Sequence, residues 1–119
     1  APLGHDYCVL SLSDRLKPWE IIEKRLDAAG AADLVLVLYN PASRSRTTQL
    51  ADARSVLLRH RSAETPVVVA RDVGGPEEDI RITTLGELDP STVDMRCLLI
   101  VGSSKTRAEN GIVWTPRSY

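Results

Sequence analysis

The sequence predicts an α/β domain: a three-layer mixed sheet of about five strands flanked by helices. Three observations carry this. Residues 32–40 and 97–103 are almost uninterrupted apolar runs, as in strands covered on both faces. Two segments with helical apolar spacing alternate with three β-rich runs up to residue 72, which implies crossover connections and a largely parallel core. The length of 119 residues sets one domain, large enough to bury a real core.

The elements follow in order. Residues 5–13 form a short β-rich stretch ending in a polar step. A helix over 18–30 starts with Pro18 in the first turn. It places Trp19, Ile22, Leu26 and Ala29 on one face, pairs Glu20 with Lys24 at i,i+4, and stops at Gly30. After the 32–40 strand, Thr47 or Thr48 caps a second helix over 49–61, with Leu50, Ala53 and Leu57 on a common face. Residues 65–72 are the third strand and 73–79 a turn. Residues 80–88 contain a strand that pairs back antiparallel, 97–103 are a buried strand, and 110–119 a hairpin-like or edge segment.

Composition narrows the function. A net charge of −1 lacks the basic excess of a general nucleic-acid binder, and two Trp, three Tyr and no Phe make a poor base-stacking platform. No apolar run approaches the roughly 20 residues of a membrane span. Nothing resembles a signal peptide, so the expected compartment is the cytoplasm, with Cys8 and Cys97 reduced. With two His and no CxxC spacing, no metal site is expected.

In open α/β sheets, ligands sit beyond the carboxyl ends of strands. Four strand ends run into small or polar residues: Tyr39-Asn40-Pro41, Arg71-Asp72-Val73-Gly74, Thr83-Thr84-Leu85 and Gly102-Ser103-Ser104. They are expected on one contiguous face. The loop after Tyr39 carries Arg44 and Arg46, which suit an anionic ligand and equally suit a solvated connection. "GSSKTR" (102–107) reads as an anion nest or as a capped turn, and Glu77-Glu78-Asp79 as an acidic cluster or a solvated turn. His60 reads as a surface group at a helix end. No catalytic triad, Walker A or GxGxxG pattern occurs. From these residues alone, the alternative to an enzyme is a non-catalytic module binding a nucleotide or anion at its strand ends.

Residues 32–74, then "ITTLGELDPSTVDMRCLLIVGSSKTR" and "TPRSY", resemble the C-terminal half of the precorrin-3B C-17 methylases, members of the tetrapyrrole methylase family of cobalamin biosynthesis. Three motifs carry the likeness together: "LYNP" with its Ser-Arg loop, "ITTLGELDP" and "VGSSKTR". The resemblance implies that residues 1–119 are the C-terminal α/β domain of a two-domain enzyme whose N-terminal domain is absent from this chain. It implies S-adenosylmethionine as cofactor, precorrin-3B as tetrapyrrole substrate, and methyl transfer to C-17 with ring contraction. The isolated chain is expected to be inactive, and its uncovered interdomain face to favour a homodimer. The family's cofactor contacts fall on Tyr39, Asn40, Asp72, Val73, Thr83, Thr84 and Leu85, and Arg44 and Arg46 are candidates to grip substrate carboxylates. One departure stands out: Arg71-Asp72-Val73-Gly74 replaces the Arg-Asn-Ala-Gly usual in relatives, which puts the cofactor fit at that corner in question.

Overall fold

The computed structural model describes residues 6–13, 18–39, 48–94, 96–109 and 111–114. The elements are β1 (Tyr7–Ser11), α1 (Trp19–Ala31), β2 (Val35–Tyr39), α2 (Gln49–Leu57), β3 (Pro66–Arg71), β4 (Asp79–Thr84), a 3-10 turn (Pro90–Thr92), β5 (Cys97–Val101), β6 (Arg107–Glu109) and β7 (Ile112–Trp114). The main sheet has the order β1-β2-β5-β3-β4, and β6 and β7 form a separate hairpin.

Strand direction decides where a ligand can sit. β1 and β2 pair in parallel, while β5 is antiparallel to both β2 and β3. β1, β2 and β3 therefore point one way, and β5 and β4 point the other. The mixed five-stranded sheet is the class the sequence predicts. β5 inserts between two parallel strands, so the parallel core is interrupted.

Both helices lie on one face. Ile22 and Leu26 of α1 and Leu50, Ala53, Val56 and Leu57 of α2 share one core cluster with Leu36, Leu38, Val67, Val69, Leu99 and Val101. Those strand residues alternate along β2, β3 and β5 and so project to a single face. The layering thus differs from the expected three: the described residues form two layers. The cause is topological. β1 to β2 and β2 to β3 step across the sheet in the same direction, and right-handed crossovers then put both helices on the same side. On the other face, Tyr7, Val9, Tyr39, Ile80 and Ile82 are exposed.

Local details refine the boundaries. α1 runs through Gly30 to Ala31, and Asp33 adopts the left-handed turn beyond it with φ 58°. Gly30 is glycine for space rather than for stopping the helix: a Cβ there would lie 2.9 Å from the His60 ring. His60 itself bonds Asp27 of α1 at 2.7 Å, so it ties the turn after α2 to α1. Thr48 is the N-cap residue of α2, but its hydroxyl makes no capping bond. α2 ends at Leu57, short of the expected residue 61, and turns follow.

Candidate functional site

The sheet has two edges with different chemistry. β1, β2 and β3 all end at one of them, which we call the carboxyl edge. It comprises Ser11 and Leu12, Tyr39, Arg71 to Val73, and the N-terminal ends of β4 and β5. The C-terminal ends of β4 and β5 lie at the opposite edge, because Thr84 pairs with Pro66 and Val101 with Val67. The four candidate strand ends therefore split two and two. Tyr39 and Asp72-Val73 are together; Thr83-Thr84-Leu85 and Ser103 are elsewhere. From Asp79 to Thr84 is five strand steps, roughly 17 Å. The expectation of one contiguous face fails because antiparallel strands end at the opposite edge. Asn40, Arg44 and Arg46 lie outside the described residues.

The carboxyl edge is organised by its backbone. Leu12 N–H donates to the Tyr39 carbonyl at 2.9 Å, and the Tyr39 side chain is exposed beside it. Asp72 takes φ 51°, a region that Asp and Asn tolerate better than other non-glycine residues. Its N–H donates to Arg96 O (3.0 Å), its carbonyl accepts from Gly75 N–H (2.8 Å), and its carboxylate accepts from Glu77 N–H (3.3 Å). That carboxylate lies over Gly75, where a Cβ would come within 2.3 Å of it. Asn offers the same oxygen and the same backbone tolerance. Asp for Asn is therefore a conservative exchange at this corner, made in the turn and not toward a ligand. Val73 follows, 63% exposed, and its N–H and carbonyl have no partner among the described residues.

Asp94 braces this edge. Its Oδ2 pairs with Arg71 at 3.0 Å, while its Oδ1 accepts from Arg96 N–H at 2.9 Å and meets Cys97 Sγ at 3.6 Å. The Arg96 amide holds the Asp94 carboxyl below its ordinary value; slight burial opposes this, and Arg71 reinforces it. Burial pushes the Cys97 thiol up, which disfavours the thiolate. Glu77 pairs with Arg96, and among the described residues no group of three His, Cys, Asp or Glu converges to hold a metal. Glu77 and Glu78 lie in the exposed turn and Asp79 opens β4.

At the opposite edge, Leu85 is fully buried and its peptide groups are already used. Its N–H donates to Thr65 O (2.8 Å), and its carbonyl accepts from Arg54 Nε (2.8 Å). Arg54 also donates to Gly86 O at 2.6 Å, and Gly86 N–H reaches Ala63 O at 2.7 Å. The Thr84 hydroxyl accepts from Glu87 N–H at 3.2 Å. Thr83 and Thr84 line an open groove of about 420 Å³ with Glu64, Glu87 and Arg107. Leu85 serves the core.

The "GSSKTR" loop is a capped turn. The Ser104 amide and hydroxyl, which would form the anion nest, both donate to Asp33. Ser103 N–H donates to Thr106 Oγ1, and Lys105 N–H to Ser103 Oγ. A carboxylate of the protein itself fills the nest. Burial raises the Asp33 pKa, but the Ser104 bonds, with Arg61 and Lys105, outweigh it and leave the pKa lowered. Beside this loop Arg61, 6% exposed, donates to the carbonyls of Gly102 (2.7 Å), Ala29 (3.3 Å) and Leu34. Sequence reasoning passed over Arg54, Arg61 and Asp94. Only Asp94 carried a local signal, an Asp two residues before a backbone amide that it can cap.

A family model described as tetrapyrrole (corrin/porphyrin) methylases matches residues 1–89. The chain belongs to the tetrapyrrole methylase family. The methylase chain is 57% identical over its whole length to the cobalamin biosynthesis protein CobIJ of Mycobacterium bovis, covering 25% of that protein. It is 50% identical to a probable cobalt-factor III C(17)-methyltransferase of Salmonella typhimurium and 45% identical to a precorrin-3B C(17)-methyltransferase of a Sinorhizobium species. It covers all of itself and 49% of each. The chain thus spans half or less of the length of the curated relatives it matches. The crystal structure of the methyltransferase CobJ superposes with a TM-score of 0.92 at 40% identity, over 98% of this chain and 48% of the other. Among the described residues, no helix of the methylase chain is long and apolar enough to cross a membrane.

Proposed function

We propose that this chain is the C-terminal domain of a two-domain, cytoplasmic methylase that transfers a methyl group from S-adenosylmethionine to C-17 of precorrin-3B, with ring contraction, in cobalamin biosynthesis. The observation that carries the reading is a coincidence of chemistry and place. In a chain of this family, the motif residue Tyr39 and the Asp72-Val73 corner stand together at the carboxyl edge of three parallel strands, where α/β sheets bind ligands.

The residues fit the cofactor. Val73 supplies an exposed apolar wall with a peptide N–H and carbonyl beside it, and Tyr39 a second wall, which is what an adenosyl group requires. When bound, S-adenosylmethionine supplies an electrophilic methyl carbon. Displacement there needs alignment and a fitting electrostatic environment more than a protein nucleophile, so the chain's part is to bind, orient and exclude water. Asn40, next to Tyr39 in the sequence, is assigned to the same cofactor set, and Arg44 and Arg46 to gripping acetate or propionate arms of the macrocycle. We place Thr83, Thr84 and Leu85 outside the cofactor set, because β4 carries them to the opposite edge of the sheet. The exposed apolar face with Tyr7, Val9, Ile80 and Ile82 is assigned to the N-terminal half of the longer protein, and the assembled enzyme to a homodimer.

The test is methyl transfer by the full-length protein. With S-adenosylmethionine and precorrin-3B, mass spectrometry should find a product one methyl group heavier. Cobalt-factor III in a parallel reaction separates the two substrate types named among the relatives. No transfer to either macrocycle by a folded full-length protein would refute the reading.

A further inference from the structure

The carboxyl edge depends on one side chain that belongs to no motif. The Asp72-Val73 corner leaves β3 with a left-handed residue, so its direction is set by the last bond that Asp72 makes to its neighbour strand. That bond runs from Asp72 N–H to the Arg96 carbonyl. The Arg96 peptide is in turn fixed by Asp94, whose Oδ1 accepts the Arg96 N–H, while the Asp94 carbonyl accepts from Cys97 N–H at 3.2 Å. The second carboxylate oxygen reaches across to Arg71, the residue before Asp72. One residue therefore holds both sides of the corner: its carboxylate grips Arg71, which precedes Asp72, and the Arg96 N–H, while its carbonyl holds the next peptide, whose oxygen receives the Asp72 N–H. Resting on the reading that this edge holds the cofactor, we infer that Asp94 is its positioning residue: it fixes where the Val73 peptide and side chain meet the ligand, without touching the ligand itself.

This role differs from general stabilisation. The Arg71 and Asp94 side chains are 42% and 48% exposed, and ion pairs so exposed contribute little to global stability. Their effect is local. Loss of Asp94 releases the corner to sample other directions, and the cofactor must then select the competent one, which lowers apparent affinity.

The experiment uses the full-length protein and calorimetric titration with S-adenosylhomocysteine, alongside steady-state kinetics with the macrocycle. Asp94→Ala should raise the cofactor Kd by roughly threefold to tenfold, the size expected when one or two framing hydrogen bonds are lost. The macrocycle KM should stay within about twofold and the thermal midpoint should move little. Asp94→Asn keeps an oxygen for the Arg96 amide but loses the charge facing Arg71, and should fall between the two. Val73→Arg tests the underlying reading, since it places bulk and charge at the proposed contact. If Val73→Arg weakens cofactor binding while Asp94→Ala binds like wild type, the positioning role is overturned. It is also overturned if Asp94→Ala lowers cofactor affinity, macrocycle affinity and thermal midpoint together, which marks a merely structural residue. If Val73→Arg binds normally, the edge is not the cofactor site and the reading beneath the inference fails instead.

Discussion

Arg61 offers a sharp test of the fold, because buried charge can be stabilising or dispensable. Its guanidinium bridges the end of α1, the entry to β2 and the exit of β5 through Ala29, Leu34 and Gly102. Burial lowers its pKa, opposed by Asp33, which Ser104 anchors nearby. Arg61→Met keeps most of the side-chain volume and removes the charge. Replacing whole buried ion pairs by apolar groups is often harmless, but here the acceptors are main-chain carbonyls that stay behind without a donor. Two good charged hydrogen bonds and one long one are worth about 3–4 kcal/mol, and relief of guanidinium desolvation returns a part of it. A net loss of about 2–3 kcal/mol is expected. With a urea m-value of about 2 kcal/mol/M, the unfolding midpoint should fall by about 1–1.5 M, followed by circular dichroism of the full-length protein. Arg61→Lys keeps the charge but cannot span three carbonyls, and should lie between. A midpoint for Arg61→Met at or above wild type would refute the claim that this residue fastens the three elements.

Arg54→Ala strips the donors from Leu85 and Gly86 and should cost about 1–3 kcal/mol in urea unfolding while leaving cofactor affinity unchanged; a selective loss of affinity would return the opposite edge to the cofactor site. Asp72→Asn should bind S-adenosylhomocysteine like wild type, whereas Gly75→Ala should weaken binding through its clash with the Asp72 carboxylate; the reverse order would contradict the corner geometry. Asp33 has a folded pKa below its unfolded one, so its stabilisation is present above about pH 4 and is lost as pH falls through and below that value. Urea midpoints should decline on acidification, and Ser104→Ala should flatten that decline; an unchanged acid limb would mean that Asp33 is not held by Ser104. Replacing Arg44 and Arg46 together by Ala should raise the macrocycle KM, by about tenfold if the contacts are desolvated, with cofactor affinity intact. Wild-type kinetics at low salt would make the loop a plain connection.

Much of this fold is legible in the sequence. The apolar runs at 32–40 and 97–103 announce central strands, and the spacing of Ile22, Leu26 and Ala29 marks the buried face of α1. What the sequence does not show is direction across the sheet. A run such as "CLLIV" reads the same whether it inserts parallel or antiparallel, yet its direction sends Ser103 to one edge or the other. In the sequence Thr83 and Thr84 group with Tyr39 as strand ends, whereas an antiparallel strand carries its end to the opposite edge. Layering was hidden too, since it depends on the order β1-β2-β5-β3 and not on any helix's own pattern. Among single residues, Gly30 looked like a helix stop because its real constraint, the His60 ring, is 30 positions away in the chain. Arg61 carries no signal in the sequence, since carbonyls that converge from three distant segments leave no local mark.

The central claim is that the carboxyl edge, and not the edge bearing Thr83 and Thr84, holds the cofactor. A crystal structure of the full-length protein with S-adenosylhomocysteine tests it most directly. The nucleoside should lie against Tyr39 and the Asp72-Val73 corner, with the Val73 peptide in hydrogen-bond contact and the Asp72 carboxylate still closed over Gly75. A ligand seated instead in the groove of Thr83, Thr84 and Glu87, with the Val73 peptide facing only solvent, would contradict it.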